Sequence, residues 1–154
     1  MDGALRIRQA RLDDLSQLQE LYHHLDADDI RCSPDEAAAV FQQFLRYPGS
    51  AILVGTVGDE LAASCSLVVI PNLTRGGKPY AVIVNVVTHA NWRNRGYGSA
   101  VLKAATERAW DHGCYKVMLM PGSKSPATVG FYERAGFEQT KTGFQIRRHP
   151  PRSE

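Results

Sequence analysis

Apolar and polar residues alternate along some segments of the chain and recur every three or four residues along others. In residues 4–10, ALRIRQA, Leu5 and Ile7 alternate with Arg6 and Arg8, which is the two-residue period of a half-buried strand. The next segment carries apolar residues at helical spacing on one face, namely Leu15, Leu18, Tyr22 and Leu25. This pattern predicts a first strand followed by an amphipathic helix.

Capping and turn residues mark the next elements. In the segment SPDE, Ser33 suits the N-cap and Pro34 the first helical position, which predicts a helix that runs to about Tyr47. Residues 51–70, AILVGTVGDELAASCSLVVI, form two β-rich runs around a Gly-Asp-Glu turn at 58–60. They predict an antiparallel hairpin.

The second half of the chain repeats strand and helix patterns. The prolines and adjacent glycines of PNLTRGGKPY, residues 71–80, predict a loop, and the almost continuously apolar AVIVNVVTH after it predicts a central strand covered on both faces. Four further elements are predicted in chain order: a helix from RNRGYGSAVLKAA to near Gly113, a strand at YKVMLM, a helix at SPATVGFYERAG and a last strand at FQIRR, residues 144–148. The order predicts one mixed α/β domain over residues 1–154, with 149–154 as a frayed tail.

Composition and charge narrow the classes of partner. Hydrophobic residues make up 44% of the chain and charged residues 22%, enough to fill a core, and the formal net charge is +2. Such a small charge does not favour nucleic acid, and no apolar stretch reaches the roughly 18 residues of a membrane span. We therefore expect a small-molecule partner, no nucleic acid and no membrane.

Three cysteines give no ligand or disulfide pattern. Cys32, Cys65 and Cys114 are odd in number and lack CxxC or Cys/His spacing, so we expect neither a disulfide framework nor a metal site. Cys65 and Cys114 fall in or beside strands and are interpreted as packing residues. The segment MDGALRIRQARLDD lacks the apolar core of a signal peptide, so we expect a cytoplasmic protein.

The segment RNRGYGS places two glycines and two arginines at the start of a predicted helix. The first N–H groups of a helix have no internal partner and lie at the positive end of the helix dipole. Gly96 and Gly98 let an anion approach those donors, and Arg93 and Arg95 add positive charge. The segment predicts a pyrophosphate site; the alternative is a plain loop before a helix start.

The element order and two motifs resemble the GNAT superfamily of acetyl-CoA-dependent N-acyltransferases. The motifs are RNRGYG after the buried strand VIVNVVTH, and FYERAGF some thirty residues later. The resemblance covers nearly the whole chain and implies a largely antiparallel central sheet of about six to seven strands with four flanking helices. GCYKVMLM and GFYERAGF are also similar to glucosamine-phosphate acetyltransferases. The family turn would hold the coenzyme A pyrophosphate on Arg93, Asn94, Arg95, Gly96, Tyr97, Gly98 and Ser99.

The resemblance also implies roles for residues outside the turn. The sheet would splay between VIVNVVTH and YKVMLM, so that Val86, Val87 and Thr88 line the thioester and an amide at or beside Val87 stabilises the oxyanion. Tyr132 would protonate the leaving thiolate, since a phenol pKa near 10 lies only a unit or two above that of a thiol. Phe131 and Ser125 would contact the cofactor, although Ser125 also suits a helix cap.

The sequence leaves the general base and the acceptor open. Relatives often carry a glutamate where this chain has Val84, so a weak amine with a pKa of about 8 would react without a strong base. His89 either bridges to the amine through a water or lies on the surface. The acidic run 26–29 either attracts a cationic amine or forms a solvated loop, whereas Arg75 and Lys78 favour an anionic acceptor.

The sequence therefore predicts an N-acetyltransferase that moves acetyl from acetyl-CoA directly to a small-molecule amine, without a metal. Two other functions stay open: a non-catalytic module that binds or senses acyl-CoA, and acetylation of a protein or peptide. We expect a homodimer, because dimers are the commonest assembly.

Overall fold

Over the described residues, five strands form one sheet whose order follows the chain. The computed structural model describes residues 3–149. The strands are β1 Arg6–Gln9, β2 Ala51–Val57, β3 Glu60–Ile70, β4 Tyr80–Thr88 and β5 Val117–Leu119. Neighbours from β1 to β4 pair antiparallel, and β5 pairs parallel with β4. The predicted mixed α/β class with a largely antiparallel sheet is confirmed.

Two of the helices in the described part of the chain begin at a serine that caps them. The helices are α1 Leu15–Tyr22, α2 Pro34–Phe44, α3 Thr74–Gly77, α4 Tyr97–Asp111 and α5 Pro126–Arg134, with 3-10 turns at Leu12–Asp14 and Ala90–Trp92. The Ser33 hydroxyl accepts the Glu36 N–H at 3.2 Å, which confirms the predicted cap of α2. Over the described residues, no helix is both long enough and apolar enough to span a membrane.

Helices cover both faces of the sheet. Val54 and Gly55 are successive residues of β2 and so point to opposite faces. Val54 belongs to the buried cluster beneath α1 and α2, together with Leu18, Leu21, Phe41, Leu61 and Val87. On the other face, a Cβ at Gly55 would lie 3.3 Å from Val101 Cγ1 of α4, so α4 packs closely where β2 has no side chain.

The chain divides into two compact units. The first, Met1–Leu119, holds the whole sheet and α1 to α4; the second, Met120–Glu154, holds α5 and is described to residue 149. The single domain over 1–154 stays a prediction. Apart from His149, the predicted frayed tail lies outside the described residues.

Two predictions about local structure are wrong. The strand at 144–148 does not form: Phe144 and Ile146 are 91% and 99% exposed, and the segment pairs with no strand within residues 3–149. Alternation shows only that a segment can form a strand, whereas the strand itself exists by pairing. The described sheet therefore has five strands instead of six to seven. The loop 71–80 also contains the short element α3, where Arg75 and Gly76 have left-handed dihedral angles.

Candidate active site

The turn before α4 leaves backbone donors without a side-chain cap. Gly96 is the N-cap of α4 and has φ +80°, a left-handed conformation that favours glycine, and Asn94 in the same turn has φ +62°. No side chain of the described residues caps this 15-residue helix. The amides of Tyr97, Gly98 and Ser99 therefore stand at the positive end of the helix dipole, ready for an anion.

Arg93 ties this turn to two other elements. Its Nε donates to the carbonyl of Thr88 at 3.3 Å and its Nη2 donates to the carbonyl of His24 at 3.4 Å. The guanidinium thus connects the end of β4 and the segment after α1 to the turn. Arg93 keeps its positive charge beside the turn, and its hydrogen bonds give it a positioning role as well.

The other cation of the turn, Arg95, lies against an aromatic pair. Its guanidinium carbon is 5.0 Å from the centre of the Trp92 ring, and Trp92 and Tyr97 have ring centres 6.1 Å apart. No motif in the sequence pointed to Trp92. The three-residue spacing of Trp92 and Arg95 is the sequence signal for this contact, but spacing alone does not show that the guanidinium lies over the ring.

A β-bulge distorts β4 just before its end. Ser66 pairs with Val84 and Ser64 with Val87, so Asn85 and Val86 together face the single residue between the two serines. Asn85 has φ +54°, which asparagine tolerates better than most residues. The bulge redirects backbone groups at the point where the resemblance implies an oxyanion donor.

The sheet opens beside this bulge. β5 pairs with β4 only from Ala81 to Ile83, and from Val84 to Thr88 that side of β4 has no strand partner among residues 3–149. Val84 is accordingly 42% exposed. Strand backbone without a neighbour presents hydrogen-bonding groups to a ligand. The structure therefore contains the opening between the two strands in which the resemblance implies a pantetheine chain.

The three residues predicted to line the thioester differ in burial. Val87 is 4% exposed and belongs to the core cluster, so it offers the site only its backbone. Val86 and Thr88 are half-buried. Chain connectivity and the hydrogen bond from Arg93 bring these residues and the glycine-rich turn to one end of β4.

Two histidines stack beside this end of β4. The rings of His24 and His89 have centres 4.0 Å apart, and their Nδ1 atoms accept the N–H groups of Ala90 and Asn91 at 3.4 and 3.0 Å. Burial, followed by the charges of His89, Arg93 and His23, lowers the pKa of His24 below 6.5. The Nδ1 atom of His89 is occupied by the Asn91 N–H, which favours a capping role over that of a general base.

The acidic run after α1 makes local turn contacts. The Asp26 carboxylate accepts the N–H of Asp28, and the Asp29 carboxylate accepts the N–H of Ile30, both at 3.0 Å. These contacts favour the solvated-loop alternative. Recruitment of a cationic amine by this run stays a prediction.

The buried cysteines are packing residues, as predicted. Burial raises the pKa of the Cys65 thiol to about 12 and also raises the pKa of Cys114. Neither thiol is therefore poised as a nucleophile. Across residues 3–149, no three His, Cys, Asp or Glu side chains come together as a metal site.

Ser125, Phe131 and Tyr132 belong to the second unit. The Ser125 hydroxyl accepts the Thr128 N–H at 3.3 Å, so the predicted cap of α5 is confirmed, while a contact with cofactor stays a prediction. The rings of Phe131 and Tyr132 meet edge to face with centres 4.9 Å apart, and the ring of Phe137 lies 6.3 Å from that of Tyr132. These aromatic contacts fix the Tyr132 ring on α5.

The fold, the opened β4 edge and the uncapped turn define the acetyltransferase class. The model of the acetyltransferase (GNAT) family matches residues 18–137, and the chain belongs to this family. A solved structure from Agrobacterium tumefaciens str. C58, described as a candidate acetyltransferase, is 47% identical with a TM-score of 0.88, over 93% of this chain and 99% of that one.

Two curated relatives carry one name, glucosamine 6-phosphate N-acetyltransferase. The rice relative (Oryza sativa subsp. japonica) is 31% identical over 144 residues, which is 88% of this chain and 83% of its own. The relative from Trypanosoma brucei brucei is 37% identical over 78 residues, 51% of each chain. The match therefore spans about half the length of the trypanosomal protein.

Proposed function

We propose that this protein transfers an acetyl group from acetyl-CoA to the amine of a small molecule. The observation that carries the proposal is the set of uncapped amides of Tyr97, Gly98 and Ser99 behind the left-handed Gly96, beside an opened edge of β4. The amides suit the diphosphate of coenzyme A, and the open edge suits the amide groups of its pantetheine arm. The geometry thus fits both ends of one cofactor.

The bulge at Asn85 supports the chemical step. Attack of an amine on a thioester places negative charge on the carbonyl oxygen, which a fixed backbone N–H stabilises. The bulge directs backbone groups of Asn85 and Val86 away from the regular ladder. In the proposal, one of the amides from residues 85–87 donates to that oxygen and Tyr132 protonates the departing thiolate.

We propose an amino sugar phosphate as the first acceptor to test. The support is the name of the rice and trypanosomal relatives, with similarity to the rice protein over most of the chain. The amine of such a sugar is weaker than that of a lysine, so an appreciable fraction is neutral near physiological pH without a strong base. A valine at position 84 is compatible with this acceptor.

Release of coenzyme A thiol in the presence of individual amines tests the proposal. Acetyl-CoA with glucosamine 6-phosphate should release thiol, and omission of the amine should abolish the release. A raised melting temperature with acetyl-CoA but no thiol release with any amine would replace the enzyme by an acyl-CoA-binding module. Release with lysine peptides alone would indicate protein acetylation.

Assembly and location are proposed only from the sequence. We propose a cytoplasmic homodimer, which sedimentation at micromolar concentration and localisation of a tagged chain would test. A monomer by sedimentation would contradict the proposed homodimer and would leave the proposed reaction unaffected.

A further inference from the structure

Two cations that form no ion pair with a carboxylate of residues 3–149 lie together at the amino ends of β4 and β5. The guanidinium carbon of Arg75 is 5.9 Å from the centre of the Tyr115 ring, and the Lys116 ammonium is 5.3 Å from that ring and 5.7 Å from the ring of Tyr80. Both ion pairs found within residues 3–149 involve other residues. We call Arg75, Tyr80, Tyr115 and Lys116 the cation cluster.

The cation cluster favours negative charge. Partial desolvation acts to raise the pKa of the Tyr115 phenol, but the hydrogen-bonding contact and charge of Lys116, followed by those of Arg75, outweigh it and lower this pKa below 10.0. Two like charges beside one ring also repel each other. An anion bound between them would relieve that repulsion, so the cluster has the electrostatics of an anion site.

The loop that carries Arg75 is fixed by its own hydrogen bonds. The Asn72 side-chain amide donates to the Thr74 carbonyl at 3.2 Å, to the Thr74 hydroxyl at 2.8 Å and to the Lys78 carbonyl at 3.2 Å. Arg75 itself has φ +56°, a left-handed conformation that arginine adopts rarely. Strained residues held in this way concentrate at ligand sites. These hydrogen bonds fix the backbone of the loop from which the Arg75 side chain extends.

We propose that the cation cluster binds a phosphate monoester. The Arg75 guanidinium and the Lys116 ammonium contact its oxygens, and the Tyr115 hydroxyl donates a third hydrogen bond. Two cations match the double charge of a phosphate monoester, and the guanidinium fork matches two of its oxygens. This site does not depend on the proposed acetyl transfer.

The cation cluster is separate from the glycine-rich turn. Tyr80 begins β4 and Thr88 ends it, and a strand of nine residues is about 26 Å long. A diphosphate at the amino end of α4 therefore does not reach the cluster. The phosphate has two sources to distinguish: a phosphorylated acceptor long enough to span most of β4, or a separate anion such as inorganic phosphate.

Calorimetry with inorganic phosphate at low ionic strength tests the site on the full chain. Arg75→Asn keeps a residue that tolerates the left-handed conformation, and Lys116→Gln removes the second cation. Arg46→Asn and Lys103→Gln remove the same charges from exposed positions elsewhere. Each cluster variant should weaken phosphate binding about tenfold, the effect of one charged hydrogen bond, and each control less than about twofold. No saturable binding by the wild type, or equal losses in the controls, would overturn the proposal.

The Tyr115 ring gives a second readout that a purely structural role would not move. Bound phosphate neutralises the two cations, so an NMR titration should show a higher pKa for Tyr115 with phosphate than without it. An unchanged pKa at saturating phosphate would contradict the site. Melting temperatures of all four variants establish that each one folds.

Kinetics identify the source of the phosphate. If Arg75→Asn raises KM for a phosphorylated acceptor and leaves KM for its unphosphorylated counterpart unchanged, the cluster binds the acceptor. If both KM values stay unchanged while phosphate affinity falls, the cluster binds a separate anion. Absence of acetyl transfer would sink the proposed function and leave the calorimetric result standing.

Discussion

Replacing Gly96 by glutamate tests whether the first turn of α4 binds an anion, and Gly113 supplies a matched control. The two glycines flank α4 with nearly the same φ, +80° and +78°. A Cβ on either one meets nothing within 4 Å. Both substitutions therefore introduce the same backbone strain, about 1–2 kcal/mol, without a steric clash.

The added charge acts on folding in opposite directions at the two ends. A carboxylate near the amino end of a helix stabilises it and one near the carboxyl end destabilises it, each by about 0.3–1 kcal/mol. Gly113→Glu should therefore be the less stable variant, by about 1 kcal/mol. Urea unfolding of the two variants measures this difference.

For cofactor binding, Gly96→Glu should be the more impaired of the two variants. A unit charge about 4 Å from a phosphate is worth about 4 kcal/mol at an effective dielectric constant of about 20, and exposure and salt reduce this to about 2 kcal/mol. Gly96→Glu should therefore weaken coenzyme A binding about 30-fold, and Gly113→Glu less than about twofold. Calorimetry with coenzyme A checks both values. Equal affinities in the two variants would refute an anion site at Gly96.

Three further predictions concern single side chains. Tyr132→Phe should lower kcat about 10- to 1,000-fold with coenzyme A affinity unchanged, since it removes only a proton donor. Thiol release by this variant at the wild-type rate would exclude the acid role. Asp14→Asn should destabilise the fold by about 2 kcal/mol at neutral pH, because it weakens charged hydrogen bonds to Arg8. The Arg8 hydrogen bond lowers the pKa of Asp14 below 3.8, so this contribution is present above pH 3.8 and is lost as pH falls through the folded-state pKa. Urea unfolding measures the difference in unfolding free energy between wild type and variant. A difference that does not decrease in acid would contradict this prediction. Iodoacetamide should label the exposed Cys32 in the native protein long before Cys65, because burial raises the pKa of the Cys65 thiol to about 12. Equal labelling rates of the two cysteines by mass spectrometry would contradict this prediction.

Local signals in the sequence were enough for the elements that depend on local chemistry. Ser33 and Ser125, each followed by proline, predicted the starts of α2 and α5, because an N-cap satisfies its own helix. Gly58 and Asp59 predicted the turn between β2 and β3 for a similar reason. The glycine-rich turn was also readable, since Gly96 adopts the conformation that glycine alone adopts freely.

Features that depend on strand pairing or on contacts between distant elements could not be predicted from the sequence. The bulge at Asn85 arises from the register between β3 and β4, and an asparagine inside an apolar strand was its one visible trace. The segment 144–148 has the alternation of a strand without pairing in the described sheet. Arg93 was predicted as a charge near the anion, but its hydrogen bonds to two carbonyl groups needed the positions of β4 and α1.

The central claim is that the first turn of α4 binds the diphosphate of coenzyme A through its backbone. Amide chemical shifts of a ¹⁵N-labelled chain, followed during titration with coenzyme A, report on those donors individually. The largest changes should occur at the amides of Tyr97, Gly98 and Ser99, and pantetheine, which lacks the diphosphate, should leave them unchanged. Saturation with coenzyme A that leaves these three amides unmoved would contradict the claim.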